Sequence, residues 1–243
     1  MKTLNYYIVC LLDFLASLAE NRFATHGLGR ALRQFRREVV IFKAHSKNYS
    51  NNRIGKKEFD KAQIGGGNHV LEGFLNIDAK PPADLVCDVR EGIPLEDAAL
   101  KLIFSEHFLE HIDYPASVKK FIAECYRVLK SGGQIILGVP DAEAVIRGYT
   151  ENNINLFAEQ VERWYGKRNC TEHINTYIDL VNYMFRDQDD DQNYTPHLWA
   201  YDYQKLENLL KNAGFSEIKS WEFDENIAKP KRKWGSIYVI ATK

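Results

Sequence analysis

The sequence predicts an α/β fold in which helices cover a doubly wound, mostly parallel sheet. From Lys61 onward, short apolar runs bounded by Gly, Pro and Asp alternate with stretches of helical periodicity, which is typical of βαβ units. A length of 243 residues is enough for one domain with a substantial core. The composition, 45% hydrophobic and 27% charged, is that of a globular protein.

Seven runs are predicted to be strands because each is short, apolar and flanked by turn-forming residues. They are Lys61–Ile64, Phe74–Ile77, Asp84–Cys87, Leu100–Phe104, Gln134–Val139, Ser216–Phe223 and Trp234–Thr242. A helix is predicted over Pro115–Lys130, with its apolar residues in one stripe and Ser131–Gly133 as its stop. A second helix, Tyr203–Ala213, is closed by Gly214.

Two regions depart from this alternation. Residues 1–60 show helical spacing and no strand pattern, so they are predicted to form a helical N-terminal extension, with Ser46–Gly55 as its linker. Residues 61–243 form the main domain, and residues 141–200 within it are predicted to be a helical insertion or lid. The apolar run Tyr6–Ala19 is shorter than the roughly 20 residues that span a bilayer. It therefore predicts an amphipathic helix packed on the domain or on a membrane surface.

Charge and cysteine content bound the environment and the partners. A net charge of −1 gives no reason to expect a nucleic-acid partner. The stretch Arg22–Lys61, however, contains 11 Lys and Arg against three acidic residues. This stretch is either a solvated helix face or a segment in peripheral contact with an anionic membrane surface. The four cysteines are widely spaced, which predicts no disulfide framework and a reducing, cytoplasmic location.

A glycine-rich turn directly follows the first predicted strand and offers a ligand close access to backbone N–H groups. Asp78 ends the second strand, where a carboxylate can accept hydrogen bonds from both hydroxyls of a ribose. Asp88 ends the third strand, where it can accept from an adenine amino group. Each Asp can instead cap a helix, so both interpretations stay open. The turn consists of Gly65, Gly66, Gly67 and Asn68.

The fourth predicted strand runs into a segment with two acidic residues and two histidines, Ser105–Ile112. Ligands of open α/β sheets bind beyond the carboxyl ends of the strands. We therefore expect Ser105, Glu106 and His107 to face a cofactor. Only 13 residues separate Gly65 from Asp78, which predicts that the first crossover helix is reduced to a loop or a single turn.

These segments together resemble class I S-adenosylmethionine-dependent methyltransferases. In particular, they resemble a little-characterised group in which Gly-x-Gly and five residues precede Gly-aromatic-x-Asn-x-Asp. The matching positions are Gly65, Gly67, Gly73, Phe74, Asn76 and Asp78, followed by Asp88-Val89, Gly92–Leu95, Ser105–His111, Glu124–Gly133, Val139–Asp141, His197–Asp202 and Leu209–Phe215.

The resemblance implies a seven-stranded Rossmann-like methyltransferase sheet and S-adenosylmethionine as the cofactor. It also implies a contact for each part of that cofactor: Gly65 and Gly67 for the methionine, Asp78 for the ribose, Asp88 and Val89 for the adenine, and Ser105 and Glu106 for the sulfonium and amino group.

Methyl transfer to a hydroxyl requires alignment of the acceptor and removal of its proton. His107 is the first candidate for the base because it follows the fourth strand, and His111 and His197 are the others; each can instead brace a helix. The expected acceptor is a small molecule or a glycan hydroxyl, including a lipid-linked sugar at the cytoplasmic face of a membrane.

Three alternatives remain open. A metal-assisted methyltransferase would use His107, Glu110 and His111, whose spacing resembles an inverted zinc-protease motif. A non-catalytic binding protein or scaffold could share only the fold. A nicotinamide-dependent oxidoreductase would share the sheet, but the residues after the fourth strand fit it less well.

Overall fold

The predicted seven-stranded sheet is present in the computed structural model, which describes residues 25–49, 59–165, 174–185 and 196–243 together with Cys10, Leu11 and Phe14. Its spatial order is β3-β2-β1-β4-β5-β7-β6. The strands are β1 (Lys61–Ile64), β2 (Leu75–Asp78), β3 (Leu85–Val86), β4 (Leu100–Glu106), β5 (Leu129–Pro140), β6 (Ser216–Ser220) and β7 (Ser236–Thr242). The prediction of an α/β, mostly parallel sheet is confirmed.

Strand pairing places a topological switch between β1 and β4. The chain runs outward through β1, β2 and β3, then returns to pair β4 in parallel with the other side of β1. β5 continues the parallel part, whereas β7 pairs antiparallel with both β5 and β6. In open α/β sheets, such a switch leaves a crevice outside the carboxyl ends of the two strands. Ile64 and Glu106 end β1 and β4 at this crevice.

The described helices are α1 (His26–Tyr49), α2 (Ala116–Val128), α3 (Ala142–Thr150), α4 (Ile154–Tyr165), α5 (Tyr177–Phe185) and α6 (Tyr203–Asn212). The predicted stripe of α2 is buried on one face of the sheet, where Phe121 and Cys125 join Leu206 and Leu210 of α6 in the main core. A smaller cluster containing Phe104 and Tyr238 covers the other face.

Several predicted boundaries are wrong: β5 begins at Leu129 rather than Gln134, and β6 ends at Ser220 rather than Phe223. α2 ends at Val128 rather than Lys130, because Leu129 already pairs with Leu100 in the sheet. The predicted stop therefore lies inside β5, where Gly132 has a φ of +73°. Residues 46–49, predicted as the start of a linker, belong to α1, which continues through Tyr49. The rest of that linker, and most of Tyr6–Ala19, lie outside the described residues.

The first crossover contains turns and no helix, as the spacing of Gly65 and Asp78 predicted. The side chain of Asn76 organises it. Its Nδ2 donates to the carbonyls of Leu71 and Phe74, both at 3.0 Å, and its Oδ1 accepts from the amide of Leu71 at 2.8 Å. These bonds satisfy loop backbone groups that a helix would otherwise pair internally.

Helices α3, α4 and α5 lie between β5 and α6 in the chain. They have a core of their own, which contains Val145, Ile174, Leu180 and Met184. These helices lie within residues 141–200, which the sequence predicts to be a helical insertion or lid; both of those interpretations stay predictions. In the described part of the chain, no helix combines the length and apolarity needed to cross a membrane.

Candidate functional site

A cavity of about 350 Å³ lies at the switch point, at the carboxyl ends of β1, β2 and β4. Its position is the one that the order of the strands indicates for a ligand. α1 contributes to its wall through Gln34, Arg37, Glu38 and Ile41. The predicted site residues in its wall are Gly65, Gly67, Asp78, Asp88, Val89, His107 and His111.

The glycine turn favours glycine at three positions for different reasons. Gly65 has a φ of +73°, and a Cβ on it would lie 2.4 Å from the ring of Phe108. Gly67 has a φ of +59°, but a Cβ on it would have no other atom within 4 Å. A Cβ added to Gly66 would lie 2.6 Å from the carbonyl oxygen of His69. Neither Gly66 nor the exposed Asn68 is among the cavity-lining residues.

We expect Gly65→Ala to lower stability more than Gly67→Ala. Both substitutions put an L side chain at positive φ, which costs about 1 kcal/mol. Only Gly65→Ala also forces Phe108 to move, and overpacking adds about 1–3 kcal/mol. Thermal unfolding of the two variants measures the difference directly. Equal losses in the two variants would show that Phe108 yields without cost.

Asp78 joins the turn to the end of β2. Its Oδ2 accepts from the amide of Gly67 at 2.9 Å, and its Oδ1 accepts from the amide of Lys80 at 3.2 Å. A carboxylate has about four acceptor sites, so each oxygen retains the capacity for another hydrogen bond. Asp78 therefore fits the predicted contact with two ribose hydroxyls.

Asp88 is already bound by a neighbouring guanidinium. Arg90 Nε lies 2.9 Å from Oδ1 of Asp88, and Arg90 Nη2 lies 2.8 Å from Oδ2. The same Nη2 donates to Glu38 of α1 at 2.6 Å, and the amide of Asp88 donates to His45 Nδ1 at 3.2 Å. An adenine amino group at Asp88 would thus compete with Arg90, while Val89 remains in the wall.

The contact between Glu38 of α1 and Arg90 was not predicted from the sequence, because residues 1–60 lie outside the resemblance. One indication was available: Glu38 is the sole acidic residue of α1 among its many basic ones. An isolated acid in a basic helix suggests a specific cationic partner. That partner, Arg90, could not be identified from spacing.

Ser105 and Glu106 were expected to face the cofactor, but neither residue lines the cavity. The hydroxyl of Ser105 donates to the carbonyl of Ile64 at 3.0 Å. Glu106 shares the face of Phe104, because side chains alternate along a strand. Its carboxylate accepts from Tyr238 Oη at 2.8 Å and from Arg232 Nη1 at 2.9 Å.

His107 is the histidine that follows β4 and lies in the cavity wall. Its φ of +52° is uncommon for a residue with a side chain. Its Nε2 lies 2.8 Å from the Ser236 hydroxyl, which fixes the ring. Burial, reinforced by the positive charge of Arg232, holds the pKa of His107 well below its usual value. The imidazole is therefore neutral near pH 7.

The other two predicted histidines meet each other across the chain. The rings of His111 and His197 are 5.0 Å apart and nearly edge to face. His111 lies in the cavity wall, whereas His197 is buried behind it and is not a lining residue. The amide of Leu198 donates to the carbonyl of Glu110 at 2.7 Å, which attaches the segment around His197 to the turn that follows β4.

Glu110 lies between the histidines. Its side chain is buried, and burial raises its pKa. Its Oε1 is 3.6 Å from His107 Nδ1 and 3.8 Å from His111 Nε2. The predicted metal alternative named His107, Glu110 and His111. In the described structure, the group whose ligand atoms lie within 4.8 Å of one another is instead Glu110, His111 and His197.

The chain resembles known methyltransferases. A family model described as "Methyltransferase domain" matches residues 70–137, and no curated protein matches the sequence. A SAM-dependent methyltransferase from Methanosarcina mazei is 16% identical, with 77% of this chain and 93% of that one covered and a TM-score of 0.48. One from Thermotoga maritima is 15% identical, with 88% and 97% covered and a TM-score of 0.44.

The matched residues 70–137 run from the first crossover loop into β5 and include Asp78, Asp88 and the segment from Ser105 to His111. In the cavity wall, Asp78 retains acceptor capacity beside the glycine turn. Residues 70–137 thus match a methyltransferase domain, which implies S-adenosylmethionine as the cofactor.

Proposed function

We propose that this protein transfers a methyl group from S-adenosylmethionine to a hydroxyl of a small-molecule or glycan acceptor. The observation that carries the proposal is the cavity at the switch point, whose lining includes Gly67, Asp78 and His107. Its volume of about 350 Å³ is of the size of small-molecule sites. When bound, the cofactor supplies a methyl group that its sulfonium activates for displacement.

The residues of the chain would hold the cofactor by its nucleoside. Asp78 would accept from the ribose hydroxyls with the acceptor sites that Gly67 and Lys80 leave available. Ile77 and Val89 provide apolar wall beside it. Arg90 would shift from Asp88 if the adenine amino group takes its place.

His107 would accept the proton of the acceptor hydroxyl. It is the candidate base that both lies in the cavity wall and is held by a side-chain partner, Ser236. His111 also lies in the wall and is the second candidate. The general base must lie within hydrogen-bond reach of the proton that it removes. His197 does not line the cavity and is therefore not proposed as the base.

A flat aromatic surface near the cavity supports a glycan acceptor. Trp199 is 42% exposed and stacks on Tyr114 with ring centroids 4.6 Å apart. Leu198, the preceding residue, lies in the cavity wall. An exposed aromatic face of this kind offers apolar area to one side of a sugar ring.

Calorimetric titration with S-adenosylmethionine and S-adenosylhomocysteine tests the proposal. We expect one site of micromolar affinity for each, because the nucleoside contacts are common to both ligands, and no binding of NAD at the same concentrations. Protein that binds the cofactor is then given methyl-labelled cofactor and sugar or amine acceptors. Absence of cofactor binding would favour the scaffold alternative. Label found on amines alone would retain the methyltransferase and reject the hydroxyl acceptor.

A further inference from the structure

A buried carboxylate without a hydrogen bond lies next to the cavity. Glu110 is 1% exposed, and neither of its side-chain oxygens accepts a hydrogen bond in the part of the chain that the structure describes. A buried polar group without a partner costs free energy, and a carboxylate more than most. Glu106, in the same segment and equally buried, has its oxygens bonded to Tyr238 and Arg232. The contrast indicates that Glu110 lacks a cationic partner at hydrogen-bond distance.

Besides His107, whose Nδ1 lies 3.6 Å from Glu110 Oε1, two further histidines lie close to this carboxylate. His111 Nε2 lies 3.8 Å from Glu110 Oε1, and ligand atoms of Glu110, His111 and His197 all lie within 4.8 Å of one another. Ligand atoms around a tetrahedral Zn²⁺ are roughly 3.4 Å apart, given metal bonds of about 2.1 Å. Side-chain movements of about 1 Å would therefore bring the three groups into coordination distance.

The outer nitrogens of both histidines face backbone carbonyls. His197 Nδ1 is 2.9 Å from the carbonyl of Met184, and His111 Nδ1 is 3.4 Å from that of Pro196. Histidines that bind a metal commonly donate the other ring N–H to a carbonyl or carboxylate, which fixes the tautomer and the orientation of the ring. Here that arrangement assigns Nε2 of each ring as the metal-binding atom.

We propose that Glu110, His111 and His197 bind one divalent transition-metal ion, with Zn²⁺ as its probe. Two imidazoles and one carboxylate favour such an ion over Mg²⁺, which prefers oxygen ligands. Three protein ligands leave a coordination position open, and His111 places the site at the cavity wall. If the proposed function holds, the ion would bind the oxygen of the acceptor hydroxyl and lower its pKa, so that His107 could remove the proton more easily.

The experiment uses the full chain, stripped of metal with a chelator and then titrated with Zn²⁺ against a chromophoric competitor. We expect one equivalent to bind, and Glu110→Gln and His197→Ala to weaken binding on the order of a hundredfold. Glu124→Gln is the matched control, because Glu124 pairs with Arg127 away from the cluster. It should bind Zn²⁺ as the wild type does, and millimolar Mg²⁺ should not displace the ion.

Thermal unfolding gives a readout that a purely structural role of Glu110 would not produce. Added Zn²⁺ should raise the unfolding temperature of the wild type and of Glu124→Gln but not of Glu110→Gln. Metal-free Glu110→Gln should unfold no lower than the metal-free wild type, because a neutral amide of the same shape replaces a buried charge. The proposal is overturned if the wild type binds no Zn²⁺, or if Glu110→Gln and His197→Ala bind it with wild-type affinity. Cofactor titration without metal tests the proposed function separately.

Discussion

Replacing Asp78 by Ala should weaken S-adenosylmethionine binding on the order of a hundredfold or more. Hydrogen bonds to a charged group contribute about 1.5–3 kcal/mol each, and the ribose would lose two of them. The substitution also removes the acceptor of the Gly67 amide, which holds the glycine turn against β2. Calorimetric titration of the variant against the wild type measures the loss.

Asp97→Ala is the control for this substitution, because the Asp97 side chain is 80% exposed and pairs with Arg127 outside the cavity. It should bind the cofactor as the wild type does. If Asp78→Ala binds S-adenosylmethionine with wild-type affinity, Asp78 does not hold the ribose, although the protein still binds the cofactor. Loss of binding in both variants would point to general destabilisation.

Replacing Arg232 by Met should lower the free energy of unfolding by about 3–5 kcal/mol, because it leaves a buried charge without its partner. Glu106 is 4% exposed, and its Oε2 lies 2.9 Å from Arg232 Nη1. The amide of Lys229 and the hydroxyl of Tyr238 also donate to this carboxylate, but neither carries a charge that offsets it. For a chain of this size, we expect the unfolding temperature to fall by about 10 °C.

Glu106→Gln combined with Arg232→Met should recover much of this loss, since the double variant has no unpaired buried charge. Lys233→Met is the surface control. Lys233 pairs with Glu225 at 3.5 Å, and both side chains are more than 60% exposed, so its replacement should change stability by less than about 1 kcal/mol. If Arg232→Met and Lys233→Met unfold alike, the Glu106–Arg232 pair contributes little.

The sheet could be predicted from the sequence because its strands are short apolar runs between turn residues. β1 matches its predicted range, and β2, β4 and β7 differ by one or two residues at an end. The first crossover was also predictable, since the distance from Gly65 to Asp78 leaves no room for a helix. These features depend on local composition and spacing, which a single sequence contains.

The orientation of side chains at the end of β4 could not be predicted in this way. Both faces of β4 are covered, so apolar residues occupy both sets of alternating positions and no phase can be assigned. Glu106 was therefore expected at the cofactor, although it shares the face of Phe104. The grouping of His197 with Glu110 and the contact of Glu38 with Arg90 join distant parts of the chain, and such contacts depend on tertiary packing.

The chain of contacts from Asp88 through Arg90 to Glu38 makes α1 and the cavity thermodynamically dependent on each other. The carboxylate of Asp88 receives four hydrogen bonds from Arg90, through its backbone amide, Nε and Nη2. A ligand group that binds Asp88 must therefore displace Arg90, the residue that holds Glu38. If docking of α1 weakens the binding of such a ligand by some factor, the bound ligand weakens the docking of α1 by the same factor. Any change that detaches α1 is then also a change in ligand affinity at the Asp88 end of the cavity.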